Sequence, residues 1–174
     1  AGSSPVAINA AGQVLGQSLT ANARTRAFVW DSTHGMQDLG ALGGDNSRPV
    51  AINDAGQVVG YAYTAWNAEF HAFIWDAAHG MQDLGTLGSP SSSPIAINAA
   101  GQVVGHSWTA GFASRHAFIW DATGGMQDLG TLGGTVSRSI AINDAGQVTG
   151  YAFTPGNSEH AFIWDAIHGM QDLG

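Results

Sequence analysis

Apolar and polar positions along this chain change over in short runs. Residues 57–64 are dense in valine and tyrosine, and Met81-Gln82-Asp83-Leu84 alternates as a half-exposed strand does. No apolar segment between turn signals reaches the roughly 12 residues over which a 3.6 period would register, so a helical reading fails. Residues 48–84 hold four strand-type segments, at 48–53, 57–64, 72–75 and 81–84. Asp54-Ala55-Gly56 supplies turn chemistry after the first, residues 65–71 connect the second and third, and a turn around residues 76–80 precedes the fourth.

The same pattern comes four times. The Trp-Asp pairs beginning at Trp30, Trp75, Trp120 and Trp164 are spaced by 45, 45 and 44 residues. The Ala-Ile-Asn triplets at Ala7, Ala51, Ala96 and Ala141 and the Asp-Leu-Gly triplets at Asp38, Asp83, Asp128 and Asp172 keep the same period. Four short strands in each repeat of this length is the signature of a propeller blade. The expected architecture is all-β, a single repeat domain over residues 1–174 with blades near 1–42, 43–87, 88–132 and 133–174. A slower rhythm overlies it: copies two and four read Ala-Ile-Asn-Asp where one and three read Ala-Ile-Asn-Ala, as if a two-copy unit had doubled.

Within a blade, the Ala-Ile-Asn strand suits the innermost place, where small side chains fit near the axis, and Met-Gln-Asp-Leu the outermost. Phe73, Ile74 and Trp75 would fill the widening gap between blade faces. Residues 86–91 would run as a flexible crossing from an outer strand to the next inner one. The Asn-(Asp/Ala)-Ala-Gly and Asp-x-x-(His/Gly)-Gly turns then share one side of the disc, and the variable loops and crossings share the other.

Composition narrows the partners. The net charge of −8, with five arginines and no lysine, argues against nucleic acid or an anionic membrane. There is no cysteine, so neither a disulfide framework nor thiolate chemistry is available. No apolar run approaches the ~20 residues of a membrane-spanning helix, and the first residues do not read as a signal peptide.

His71-Ala72-Phe73, His116-Ala117-Phe118 and His160-Ala161-Phe162, together with Ala-Ile-Asn-Asp-Ala-Gly-Gln-Val and Gly-Met-Gln-Asp-Leu-Gly, resemble the HAF-type extracellular repeat of bacteria. Copy one departs from it with Arg26-Ala27-Phe28. The resemblance implies a β-propeller, usually in secreted or surface proteins, and brings no catalytic residues. WD40 and kelch repeats are weaker matches and would also give propellers.

Four blades lie at the lower end of the range for a closed ring. The expectation is instead half of a larger one. The ends fall at a blade boundary, leaving no strand to latch a ring by mixing both termini in one blade. An open arc would expose apolar sheet faces on the order of several hundred Å², which soluble monomers rarely tolerate. A second copy about a two-fold axis would cover both and complete an eight-bladed homodimer.

Candidate chemistry is sparse. His71, His116 and His160 share one repeat position and His34, His79 and His168 another, with no zinc-site spacing, so no metal is expected and hydrogen bonding at strand ends and turns explains them. Asp31, Asp76, Asp121 and Asp165 recur in every blade, as turn caps do, whereas catalytic carboxylates come as differentiated pairs. No nucleophile elbow is present, no catalytic residue is assigned, and no cofactor is called for. A hydrolase or lyase site at the channel mouth is disfavoured because repeat-equivalent positions do not set one blade apart. The variable connection between second and third strands is the informative place, with Trp66, Phe70, Phe112, Arg115 and Arg24 as candidates to hold a glycan or protein; loop drift without selection explains that variation equally. Asn9, Asn53, Asn98 and Asn143 would ring the channel, with Arg48 and Arg138 near one mouth, to hold water or an anion; bonding to neighbouring backbone accounts for the asparagines as well. The expected function is a non-enzymatic repeat scaffold, a segment of a bacterial extracellular protein or an engineered chain of whole blades, with a lectin-like or protein-binding module as the alternative.

Overall fold

Each first hairpin is closed by the same turn. In copy two the Gly56 N–H donates to the Asn53 carbonyl at 3.0 Å, and the Asn53 N–H donates to the Gln57 carbonyl at 3.0 Å. Gly56 takes a φ of 79°, open to glycine without a Cβ penalty. The asparagine side chain completes the turn: Oδ1 accepts the Gln57 N–H at 2.9 Å and Nδ2 donates to Gln57 Oε1 at 2.8 Å. The computed structural model describes residues 2–67, 69–112 and 114–174, except for the side chains of Trp66 and Phe112.

The first blade comprises β1 (Ser3–Ile8), β2 (Val14–Leu19), β3 (Thr25–Asp31) and β4 (Gly35–Asp38). The second comprises β5 (Gly43–Ile52), β6 (Val58–Thr64), β7 (Phe70–Asp76) and β8 (Gly80–Asp83). In the third, β9 (Gly88–Ile97), β10 (Val103–Thr109), β11 (Arg115–Asp121) and β12 (Gly125–Asp128) follow. The fourth holds β13 (Ser137–Ile142), β14 (Val148–Phe153), β15 (Glu159–Asp165) and β16 (Gly169–Asp172). Every sheet is an antiparallel meander in sequence order. The inner strands β1, β5, β9 and β13 pack on one another in succession, and β4, β8, β12 and β16 form the outer edges.

Two boundaries differ from the sequence expectation. The crossing is not a free connection in copies two and three: β5 and β9 each run for 10 residues and absorb most of it. Parallel bridges from Leu42 to Thr64 and from Leu87 to Thr109 tie down its start. The connection between second and third strands is shorter than expected. Ala65–Asn67 forms a single 3-10 turn, Ala110–Phe112 is kinked at Gly111 (φ 72°), and Phe70 already belongs to β7, where it pairs with Tyr63.

The cores lie between blades. Leu15, Val29 and Leu39 of the first blade meet Val58 and Phe73 of the second, and the later interfaces repeat this. Phe73 packs over its cross-strand partner Gly60, where a methyl group would overlap both the Phe73 ring and the Arg48 carbonyl oxygen. A buried serine joins each pair of blades. Ser92 Oγ, on β9, accepts the Ala72 N–H of β7 at 2.9 Å and donates to the Gly85 carbonyl at 2.6 Å. Ser47 does the same for Ala27 and Gly40, and Ser137 for Ala117 and Gly130.

Candidate functional site

The repeated histidines and carboxylates close turns. Asp31 Oδ1 accepts the N–H groups of Thr33 and His34 at 2.8 and 2.7 Å, and His34 Nδ1 lies 3.1 Å from the same carboxylate. Asp76 with His79 and Asp165 with His168 repeat the arrangement; in copy three the Thr123 hydroxyl stands in for the imidazole on Asp121. The His34 N–H, then its side chain, hold the Asp31 carboxyl below the usual range. The other set links the outer strands, with His71, His116 and His160 each within 2.9 Å of Asp83, Asp128 and Asp172 respectively. Among the described residues no three His, Asp or Glu side chains gather as a metal site would require.

The asparagines are committed to protein partners. Besides closing its own turn, Asn9 Nδ2 donates to the Asn53 carbonyl at 3.1 Å, Asn53 to Asn98 at 3.0 Å and Asn98 to Asn143 at 3.0 Å. This ladder runs from blade to blade and keeps Asn9, Asn53 and Asn98 nearly buried. Asn143 stands at its end, exposed, with Nδ2 bonded to Gln147 Oε1 of its own turn. Two carboxylates reinforce alternate joints: Asp54 Oδ1 accepts the Ala10 N–H at 2.9 Å and Asp144 Oδ1 that of Ala99 at 3.0 Å. Arg48 is exposed, and Arg24 pairs with Asp45, which also accepts from Asn67.

The two end blades each present an unpaired face. Leu39, Leu84 and Leu129 are 4, 4 and 6% exposed, whereas the equivalent Leu173 is 60% exposed. Ala161 and Thr149 are exposed where their equivalents in the other blades are fully buried. On the opposite side of the first blade Ile8, Trp30 and Met36 are exposed, while Ile52, Trp75 and Met81 pack into the first interface.

Between the second and third blades lies a cleft of about 250 Å³. Tyr61, Tyr63 and Phe70 form one wall, with Phe70 centred 5.4 Å from Tyr61 and 6.0 Å from Tyr63. His106, Trp108 and Arg115 of the third blade and Ser91, Ser92 and Ser93 of β9 line the rest. The Arg115 guanidinium stacks 4.4 Å above the Trp108 ring. His106 Nδ1 and Arg115 Nε are buried and have no protein partner among the described residues. Burial, assisted by the charge of Arg138, pushes the His106 pKa down to about 4, so its imidazole is neutral at neutral pH.

The structure thus brings Phe70 and Arg115 together, and sets Arg138 beside His106. Arg24 lies outside this cleft, and the side chains of Trp66 and Phe112 lie outside the described residues. Sequence reasoning missed His106, Trp108 and the tyrosines. One available signal was Ser93, which replaces an arginine found at the same position in copies two and four.

No family model matches the chain, and no curated protein does. Among solved structures it is similar to TolB from Acinetobacter baumannii, with a TM-score of 0.64 and 17% identity over 98% of this chain. It is similar to the β-propeller domain of the Trilobed protease from Pyrococcus furiosus, described as having an open velcro topology (TM-score 0.62, 14% identity, 99% of this chain). A six-bladed fungal lectin from Aleuria aurantia also matches (TM-score 0.50, 13% identity, 93% of this chain). The chain spans 42, 51 and 55% of those three chains, less than two thirds of each. At such identities the likeness is one of fold: four antiparallel four-stranded sheets built as β-propeller blades.

Proposed function

We propose that this chain is a non-enzymatic propeller scaffold that completes itself with a second copy, giving one eight-bladed ring about a two-fold axis. One observation carries the reading: the two exposed end faces repeat, position for position, the two sides of the internal joints, with Thr149 in place of a buried Leu or Val. Leu173, Ala161 and Ile163 occupy the places of Leu39, Ala27 and Val29, and Ile8, Trp30 and Met36 those of Ile52, Trp75 and Met81. The polar joints match as well. Ser3 stands where Ser47 stands in the next copy, and would staple the Ala161 N–H and Gly174 carbonyl of the partner. Asn143 would donate to the partner's Asn9 carbonyl and so continue the ladder.

Each such contact is head-to-tail, and two of them close a ring if four blades subtend half a turn. The solution mass by light scattering tests this. Twice the chain mass of 17.9 kDa is expected; the chain mass alone, or a mass that climbs with concentration as in a filament, overturns it. The HAF-type motif supports placement in a bacterial extracellular protein, at the cell surface or beyond it.

A second reading, recognition of a glycan or protein from the variable-loop side, is favoured by one observation: the cleft that holds Phe70 and Arg115.

A further inference from the structure

We propose that the cleft between the second and third blades binds one acidic sugar unit, a uronate, whose carboxylate is held by Arg115. The proposal rests on the recognition reading of the loop side and narrows it to a place and a ligand class.

The cleft is not a generic product of the repeat. On the inner strand, the residue paired with the second strand is Arg48 opposite Tyr61, Ser93 opposite His106 and Arg138 opposite Tyr151. Only the third copy combines a small residue there with a full joint on the preceding blade, since Ser4 of the first copy belongs to the exposed end face. The crossing into this blade, Ser89-Pro90-Ser91-Ser92-Ser93, is also the one built of small hydroxyl residues. Blade equivalence, which explains the histidine and aspartate pairs, therefore fails at this gap.

The lining sets the chemistry. Tyr61, Tyr63 and Phe70 offer apolar faces to a flat ligand. Serine hydroxyls both donate and accept, as does the neutral His106 imidazole, whose Nδ1 has no protein partner among the described residues, so a ligand edged with hydroxyl groups is matched. A guanidinium pairs edge-on with a planar carboxylate, and the Arg115 Nε has no protein partner among the described residues. No carboxylate is among the described residues lining the cleft, although the chain carries a net charge of −8. Inorganic phosphate would leave the aromatic wall unused, and a neutral sugar would leave Arg115 unpaired. The volume of about 250 Å³ is just below the roughly 300 Å³ at which ligand pockets begin, which suits one sugar unit rather than a longer segment.

The test is a titration of the full chain with methyl glucuronide and methyl galacturonide, followed by amide chemical shifts, beside the matching neutral glycosides and acetate. Uronate binding is expected with neutral glycosides and acetate at least about tenfold weaker, a charged hydrogen bond being the difference. Arg115→Gln should weaken uronate binding about tenfold or more. Ser93→Arg, which copies the residue of blades two and four, should abolish it while solution mass and melting stay unchanged. Equal binding of neutral glycosides, or equal binding of acetate, overturns the ligand class and leaves recognition standing. Uronate binding that survives Ser93→Arg overturns the location. If no uronate or neutral glycoside binds, the proposal fails, and a glycan-array screen of the same protein then decides the broader recognition reading separately.

Discussion

Asn9 donates through its side-chain amide to the backbone carbonyl of Asn53, 44 residues away, at 3.1 Å. The same amide spans its own turn to Gln13 Oε1 at 2.8 Å, so one residue both shapes a hairpin and fastens it to the next blade. Replacing a middle member of the ladder removes both functions. Asn53→Ala is expected to cost about 1–3 kcal/mol in urea unfolding, because the Gln57 N–H and the Asn98 carbonyl lose partners. Asn143→Ala should cost less within one chain, since its amide reaches no further blade.

Ser92→Ala leaves the Ala72 N–H and the Gly85 carbonyl without their shared partner in a buried joint. A loss of about 1–3 kcal/mol is expected from thermal or chemical unfolding. Ser93→Ala, one residue on and half-buried, should be near neutral and serves as the comparison.

Gly105→Ala places a methyl group against the Ser93 carbonyl oxygen and the Phe118 ring. Backbone cannot yield there as a flexible side chain would, so a loss of about 1–3 kcal/mol is expected. Gly2→Ala, with open space around it, should leave the melting temperature unchanged.

Stability should fall in two separate pH windows. The His106 pKa is about 4 in the folded chain against about 6.5 unfolded, so as pH falls the unfolded chain takes up this proton first. The contribution is complete above pH 6.5, drains away between 6.5 and about 4, and amounts to about 3 kcal/mol at most. His106→Gln should flatten that window. The turn carboxylates Asp31, Asp121 and Asp165 are also lowered, and their contribution is lost only below the ordinary value of 3.8. Denaturant midpoints from pH 8 to 3 separate the two.

Trp30→Asp, on the exposed face of the first blade, is expected to reduce the solution mass to that of one chain. Ile167→Asp offers the control, because Ile167 is exposed in a turn and belongs to neither end face. Equal masses for both variants would mean that the first-blade face takes no part in assembly.

Blade number, strand count and meander order were legible because the repeat states them four times over. The Asp-for-Ala alternation after each Asn-containing triplet was legible as a rhythm but not as a cause. The structure supplies one: Asp54 and Asp144 cap the turn of the preceding blade, and copies one and three have no carboxylate to do so. The strand limits at Phe70 and Gly88 were misplaced, since bridges from neighbouring segments, and not local preference, fix them. The cleft was half legible. Phe70 and Arg115 drew attention as variable residues, whereas His106 and Trp108 alternate along a strand like ordinary face residues. Their meaning depends on Tyr61, which lies on a different blade.

The stapling serine of each joint comes from the blade that follows, while the groups it satisfies belong to the blade before. A blade excised alone would leave an amide and a carbonyl unanswered at one side and a hydroxyl idle at the other. The cooperative unit is therefore the seam between two sheets, not the sheet. A single chain not completed by a second copy frays from its end blades inward, with the middle seam the last to exchange its amide protons.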